Sequence, residues 1–287
     1  MYRRARAAPS ESAHQPGLRV TPGQQRPWLY CRPASSPHAI SRAGRPRHLA
    51  VGHLPDDGEM TDEVLAEQVR YYRRRAGEYD VTAYGDVAVA RGRIARLVTE
   101  MQPAGTVLEI ACGTGLWTEA LAGLADTVTA IDAAPEAIDI ARERVRSANV
   151  SFEVADVFSW DPGARFDLIF FSAWLSHVPV SRFEQFWQSL RDLLAENGRV
   201  LFIDEHVDER GKEVYVGDRQ EIIERRLRDG STFRVIKNFV DPERLELGLR
   251  RLGWNCTIRR DGSDWICGEA RPEGPRHNRA SGGAPAD

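Results

Sequence analysis

From residue 86 onward, apolar and polar positions fall into two alternating rhythms. Residues 87–99 repeat apolar side chains at helical spacing, and Thr106-Val107-Leu108-Glu109-Ile110 is a short apolar run entering a glycine-bearing turn, Ala111-Cys112-Gly113-Thr114-Gly115. Residues 116–124 predict a helix and 128–132 a second strand. Pro135 suits a helix's first turn, in a helix running to about 147. Residues 150–154 and 166–171 predict the third and fourth strands. Residues 181–195 predict a helix with Ser181 as N-cap and Glu184 completing a capping box, stopped by Asn197 and Gly198. Residues 199–204 make a fifth strand.

Ahead of this alternation, Val64, Leu65, Gln68, Val69 and Tyr72 mark a helix after Met60. Behind it, residues 205–240 predict a helix over 219–228, a turn at Asp229 and Gly230, and an extended stretch over 231–240. Residues 245–252 are helical. Residues 254–260 and 263–270 then predict a hairpin about Asp261 and Gly262, which sets Cys256 opposite Cys267, as two buried thiols in preference to a disulfide. The expected fold is α/β: a doubly wound, mostly parallel seven-stranded sheet, Rossmann-like, with a C-terminal antiparallel hairpin.

Composition divides the chain. Residues 1–59 hold eight of the sixteen prolines, nine arginines and only four acids, with no apolar period, and read as a disordered Arg/Pro-rich tail. The other segments are a folded domain over 60–271 and a second disordered tail over 272–287. Met60, followed by Thr61-Asp62-Glu63 and a helix, has the look of a natural start. Lys212 and Lys237 are the only lysines, as GC-rich coding would give, so the first 59 residues read as a start assigned too early in preference to an Arg-rich targeting peptide or a basic interaction arm. Taking the tail's nine arginines and four acids from totals of 39 basic and 42 acidic residues leaves 30 against 38. A body near net −8 suits no phosphate backbone, so no nucleic-acid partner is expected. No membrane span or signal peptide is visible, which makes cytoplasmic residence the default. The four cysteines have no metal-ligand spacing, and no metal is expected.

Chemistry should gather at the carboxyl ends of the parallel strands, where an open sheet holds its ligand. Glu109 stands at the first edge, before a turn in which Gly113 and Gly115 let backbone approach a ligand. Asp132 follows at the second edge, placed to accept from a ribose diol, and Asp156 at the third, near an adenine edge. A dinucleotide-binding domain shares part of this pattern. It wants G-x-G-x-x-G, however, whereas this turn reads A-x-G-x-G before Leu116-Trp117, and Glu109 would repel a pyrophosphate.

Residues 107–115 resemble the first motif of the class I S-adenosylmethionine-dependent methyltransferases, with Ala111 where the family's first glycine usually stands. The resemblance implies S-adenosyl-L-methionine as cofactor, held by Tyr79, Glu109, Ala111, Gly113, Gly115, Trp117, Asp132, Ala133, Asp156, Val157 and Ser172. It also implies that the Tyr71–Asp80 stretch closes over the cofactor. The runs Phe170–Pro179, Arg182–Trp187, Asp229–Lys237 and Leu252–Cys256 are similar to phosphonate O-methyltransferases of that class. This similarity implies a small anionic acceptor, a phosphonate or carboxylate, met by Arg225 and Lys237. Tyr72, Trp174 and His177 complete the expected substrate residues, with His177 positioning the acceptor or acting as its base. A neutral oxygen or nitrogen of a polyketide or quinone precursor is the other acceptor class. A non-catalytic adenosylmethionine-binding protein is the other functional class. The oligomeric state is left open.

Overall fold

The computed structural model describes residues 57–217, 221–239 and 241–274. The expectations for the N-terminal tail up to residue 56, and for the C-terminal tail from 275, lie outside the described residues. Helix α1 (Asp57–Arg75) begins three residues ahead of the expected boundary at 60. It leads through a 3₁₀ turn (Ala76–Glu78) into α2 (Tyr79–Tyr84) and α3 (Val87–Met101). The alternating part is β1 (Thr106–Ile110), α4 (Leu116–Leu121), β2 (Thr127–Asp132), α5 (Pro135–Arg144), β3 (Val150–Val154), β4 (Phe166–Ser172), α6 (Phe183–Leu193) and β5 (Leu194–Glu205). A hairpin of β6 (Ile222–Arg226) and β7 (Thr232–Ile236) follows, then α7 (Pro242–Arg251), β8 (Trp254–Asp261) and β9 (Trp265–Pro272).

Seven strands form one sheet in the order β3-β2-β1-β4-β5-β9-β8, with β6 and β7 as a separate pair. β1 to β5 are parallel to one another, whereas β9 runs antiparallel to β5 and β8 to β9. Helices cover both faces, so a central strand such as β1 is buried at four of its five positions. Its alternate side chains separate two cores. Leu108 and Ile110 meet Phe186, Trp187 and Leu190 of α6 and Leu245 and Leu249 of α7, whereas Val107 meets Ile94, Leu97 and Val98 of α3. Among the described residues no helix is long and apolar enough to cross a membrane.

Four local expectations are corrected. Residues 222–226 form a strand, not part of a helix: Ile223 and Leu227 are buried against Tyr71 while Glu224 and Arg226 face out, a period of two. Ser181 lies in a 3₁₀ turn (Val180–Arg182), so the N-cap of α6 is Arg182 and no capping box forms. Asn197 and Gly198 sit inside β5, where the register with β4 shifts between Phe166↔Leu194 and Leu168↔Arg199; α6 has already ended at Leu193.

The C-terminal hairpin has a longer loop than expected. Arg93 of α3 binds both Asp261 (Nε–Oδ2 2.9 Å) and Asp264 (Nη1–Oδ2 3.2 Å), which draws Asp264 into the turn and pairs Asp261 with Trp265. Cys256 therefore pairs with Ala270, and Cys267 with Arg259. An offset of three residues sets the two cysteines ~10 Å apart along the strands. They also enter opposite cores, and both are free thiols.

Candidate active site

Two cavities meet at the carboxyl edge of the parallel strands. The first, about 330 Å³, runs from the β1–α4 turn past the ends of β2 and β3 and is roofed by Leu65, Val69 and Tyr72 of α1. The second, about 300 Å³, lies under the β6–β7 hairpin and the ends of β5 and β9. Tyr72, Tyr79, Ser172, Ala173 and His177 line both, so the cavities share one wall.

In the first cavity, a carboxylate at the end of β2 organises two loops. Asp132 Oδ2 accepts from the backbone N–H of Gly113 (2.9 Å), and Oδ1 from that of Ala134 (2.8 Å). Burial raises its pKa, against which these N–H groups favour the anion. Gly113 has φ +55°, and among the described residues nothing lies within 4 Å of where a Cβ would be, so its backbone faces open space. Ala111 takes the same left-handed region at φ +55°, where the resembled family more often has glycine. Ala133, Val157 and the exposed Asp156 complete the far wall.

Three residues expected to meet the cofactor are set back from this cavity. Gly115, at φ +82°, serves helix packing: a Cβ there would lie 3.0 Å from the Cβ of Ala141. Glu109 is buried behind the turn, and its Oε2 has no hydrogen-bond partner among the described residues; burial, outweighing a nearby Thr118 hydroxyl, pushes its pKa up to about 8. Trp117 lines the second cavity, its indole N–H donating to the Tyr84 hydroxyl at 3.2 Å. One exchange runs the other way. Trp174, expected at the acceptor, lines the first cavity, packed on Phe158 and Phe186.

The shared wall is held by α1. Gln68 and Tyr72, one turn apart, lie over the loop after β4. The Gln68 side chain accepts from Ile236 N (2.9 Å) and donates to His177 O (3.4 Å). Tyr72 Oη lies 3.0 Å from His177 Nε2, and His177 Nδ1 lies 2.6 Å from Ile236 O. Burial, with Lys237 nearby, holds the His177 pKa well below its usual value, so the ring is neutral. A second strap ties the expected closing segment to the glycine turn: Asp80 accepts from Thr114 and Arg144, and Arg144 also donates to Thr114 O.

Lys237 and Arg225 both line the second cavity, and each is already paired. Lys237 is 3% exposed, with Nζ 2.8 Å from Glu205 Oε2 and 3.0 Å from Ser176 Oγ. Burial disfavours its charge, but Glu205 and Asp204 outweigh burial and raise its pKa. Burial likewise pushes the Glu205 carboxyl up, and Lys237 more than offsets this, leaving it below the usual value. Arg225 donates twice to Glu213. Gln68 stood out only as a polar residue on the inward stripe of α1, and spacing offered no signal for Glu205 or Glu213; the partners of all three come from other elements.

Comparison with known proteins accords with the fold. A family model described as a methyltransferase domain matches residues 107–198. The solved DhpI-SAH complex is 37% identical, with a TM-score of 0.65, covering 73% of this chain and 97% of that one. A DhpI-SAM-HEP complex gives the same identity and TM-score over 98% of its length. Nodulation protein S of Rhizobium tropici is 33% identical over 102 residues, 35% of this chain and 43% of the relative. A ubiquinone biosynthesis O-methyltransferase of Xanthomonas campestris pv. campestris (strain B100) is 39% identical over 82 residues, 27% of this chain and 34% of the relative. The chain thus spans under half the length of these two curated relatives.

Proposed function

Because this chain belongs to the class I S-adenosylmethionine-dependent methyltransferases, we propose that it methylates an oxygen of a small acid, a phosphonate or carboxylate, with cofactor in the first cavity and acceptor in the second. The observation that carries the reading is the shared wall of Tyr72, Tyr79, Ser172, Ala173 and His177, across which a donor and an acceptor can meet.

The first cavity fits the cofactor. Asp132 would take the ribose hydroxyls and Asp156 the adenine edge, while the open backbone at Gly113 would take the methionine part. Bound S-adenosylmethionine supplies a methyl group already activated by its sulfonium. What remains for the protein is to hold, orient and exclude water. α1 does the last, as the roof over the first cavity. Lys237 and Arg225 supply the charge that holds an anionic acceptor. An acid is ionised at neutral pH, so no base is required. His177, neutral and engaged on both nitrogens, positions Tyr72 instead of removing a proton.

A second reading, a neutral phenol or amine as acceptor, is favoured by the pairing of Lys237 with Glu205 and of Arg225 with Glu213. Methyl transfer from labelled cofactor to a panel of phosphonates, carboxylates, phenols and amines separates the two. Turnover of acids that is lost in Lys237→Ala supports the first reading. Turnover confined to phenols or amines replaces it with the second.

A further inference from the structure

We propose that the acceptor is an acid carrying a compact aromatic or branched apolar tail, and that Tyr84, Trp117 and Trp265 form the wall on which the tail rests. This rests on the acid reading above and extends it to the rest of the molecule. The three aromatic residues come from α2, α4 and β9 and converge on the second cavity. Nothing in the methyl-transfer geometry requires them there.

Two of the three polar tips, those of Trp117 and Tyr84, are turned to one another. The Trp117 indole N–H donates to the Tyr84 hydroxyl at 3.2 Å, so neither tip needs a ligand as partner; Trp117, 3% exposed, backs the wall, and the half-buried Tyr84 and Trp265 face the cavity. The rings are also fixed. Trp117 packs on Trp265 with centroids 6.0 Å apart, and the Arg93 guanidinium covers Trp265 at 3.6 Å from its centroid. Arg93 is itself tied to Asp261 and Asp264, so it steadies the ring and its charge is answered. A preorganised aromatic surface of this kind binds a flat or branched apolar group at little ordering cost.

The position of the wall sets the length of the tail. Trp265 pairs with Glu205 across the β5–β9 ladder, and Glu205 is the partner of Lys237. Directly paired residues hold their Cβ atoms ~5 Å apart, so the aromatic wall begins one side chain away from the acid-binding end. An apolar group joined to the acid by one or two bonds reaches it. A long linker would overshoot.

The test uses the full chain and two pairs of probes: methylphosphonic against benzylphosphonic acid, and acetic against phenylacetic acid. Binding is read by tryptophan fluorescence with S-adenosylhomocysteine present, so the readout does not depend on turnover; kcat/KM is read separately by label transfer. The benzyl member of each pair is expected to bind ~10- to 100-fold more tightly, the worth of burying a phenyl group. That ratio is expected to collapse in Trp265→Ala and to shrink in the milder Tyr84→Leu. Equal binding of the two members in the wild-type chain overturns the tail while leaving the acid reading intact. If no acid binds or is methylated while a phenol or amine is, the acid reading fails, and this inference with it.

Discussion

The Tyr72 hydroxyl donates to Nε2 of His177, 3.0 Å away, while Nδ1 of the same ring is bound at 2.6 Å to the carbonyl oxygen of Ile236. A carbonyl can only accept, so the ring's proton sits on Nδ1 and Nε2 is the acceptor. Both nitrogens are engaged, and burial keeps the pKa well below the ordinary histidine value. For a carboxylate acceptor, whose own ionisation is complete below this range, turnover should therefore be flat from pH 6 to 8, and His177→Ala should lower kcat by about tenfold at most, through loss of Tyr72's orientation. A limb in the pH–rate profile near 6.5 would show that the ring titrates, and a loss of several orders of magnitude would make it a base.

Lys237 and Glu205 should respond to mutation with opposite sign. Lys237→Ala leaves a carboxylate lining the second cavity with no ammonium beside it, and is expected to raise the KM for an acid acceptor ~100-fold or more. Glu205→Gln removes the competing anion, leaves Lys237 free to meet the acceptor, and is expected to lower the same KM severalfold. Steady-state kinetics on one phosphonate would decide. Movement of both in the same direction would mean the pair acts only as a structural unit.

How far these residues were visible in the sequence depended on where their partners lie. The parallel strands were legible because burial on two faces writes Val, Leu and Ile into short runs such as Val107–Ile110, and the edge acids Glu109, Asp132 and Asp156 came with them. What those runs could not give is which side of a loop a side chain takes. Trp117 and Trp174 exchanged cavities because α4 and the loop after β4 are aimed by packing on Phe170 and Phe186, contacts remote in sequence. The strand at Ile222–Arg226 was hidden by its charge: Glu224, Arg225 and Arg226 look like a solvated helix until Tyr71 supplies the surface that Ile223 covers. The hairpin register failed for a similar reason, since Arg93, more than 160 residues before the turn, selects its length.

Asp132 offers a test of the cofactor assignment that needs no acceptor. Each of its oxygens holds a backbone N–H, from Gly113 at 2.9 Å and Ala134 at 2.8 Å, so the side chain shapes the loops as well as facing the cavity. Asp132→Ala should weaken S-adenosylmethionine binding ~100-fold in calorimetry, about 3 kcal/mol. Asp132→Asn should also weaken it, because its amide presents N–H to N–H. Unchanged affinity in both variants would place the ribose elsewhere.

Glu109 should make the cofactor-free protein less stable as pH rises. Its Oε2 is buried without a partner among the described residues, and its pKa stands at about 8 in the fold against 4.5 when unperturbed. Between those values the folded chain holds a proton that the unfolded chain has released. Its stabilising contribution is therefore complete below pH 4.5 and is lost as pH climbs towards 8. Glutamine has the shape of the protonated acid and no proton to lose. Glu109→Gln should thus match the parent in thermal unfolding at pH 5 and exceed it progressively above, by on the order of 2–3 kcal/mol near pH 7. A Tm difference that stays constant from pH 5 to 8 would mean that Glu109 is ionised in the fold, answered by a cation or water at Oε2.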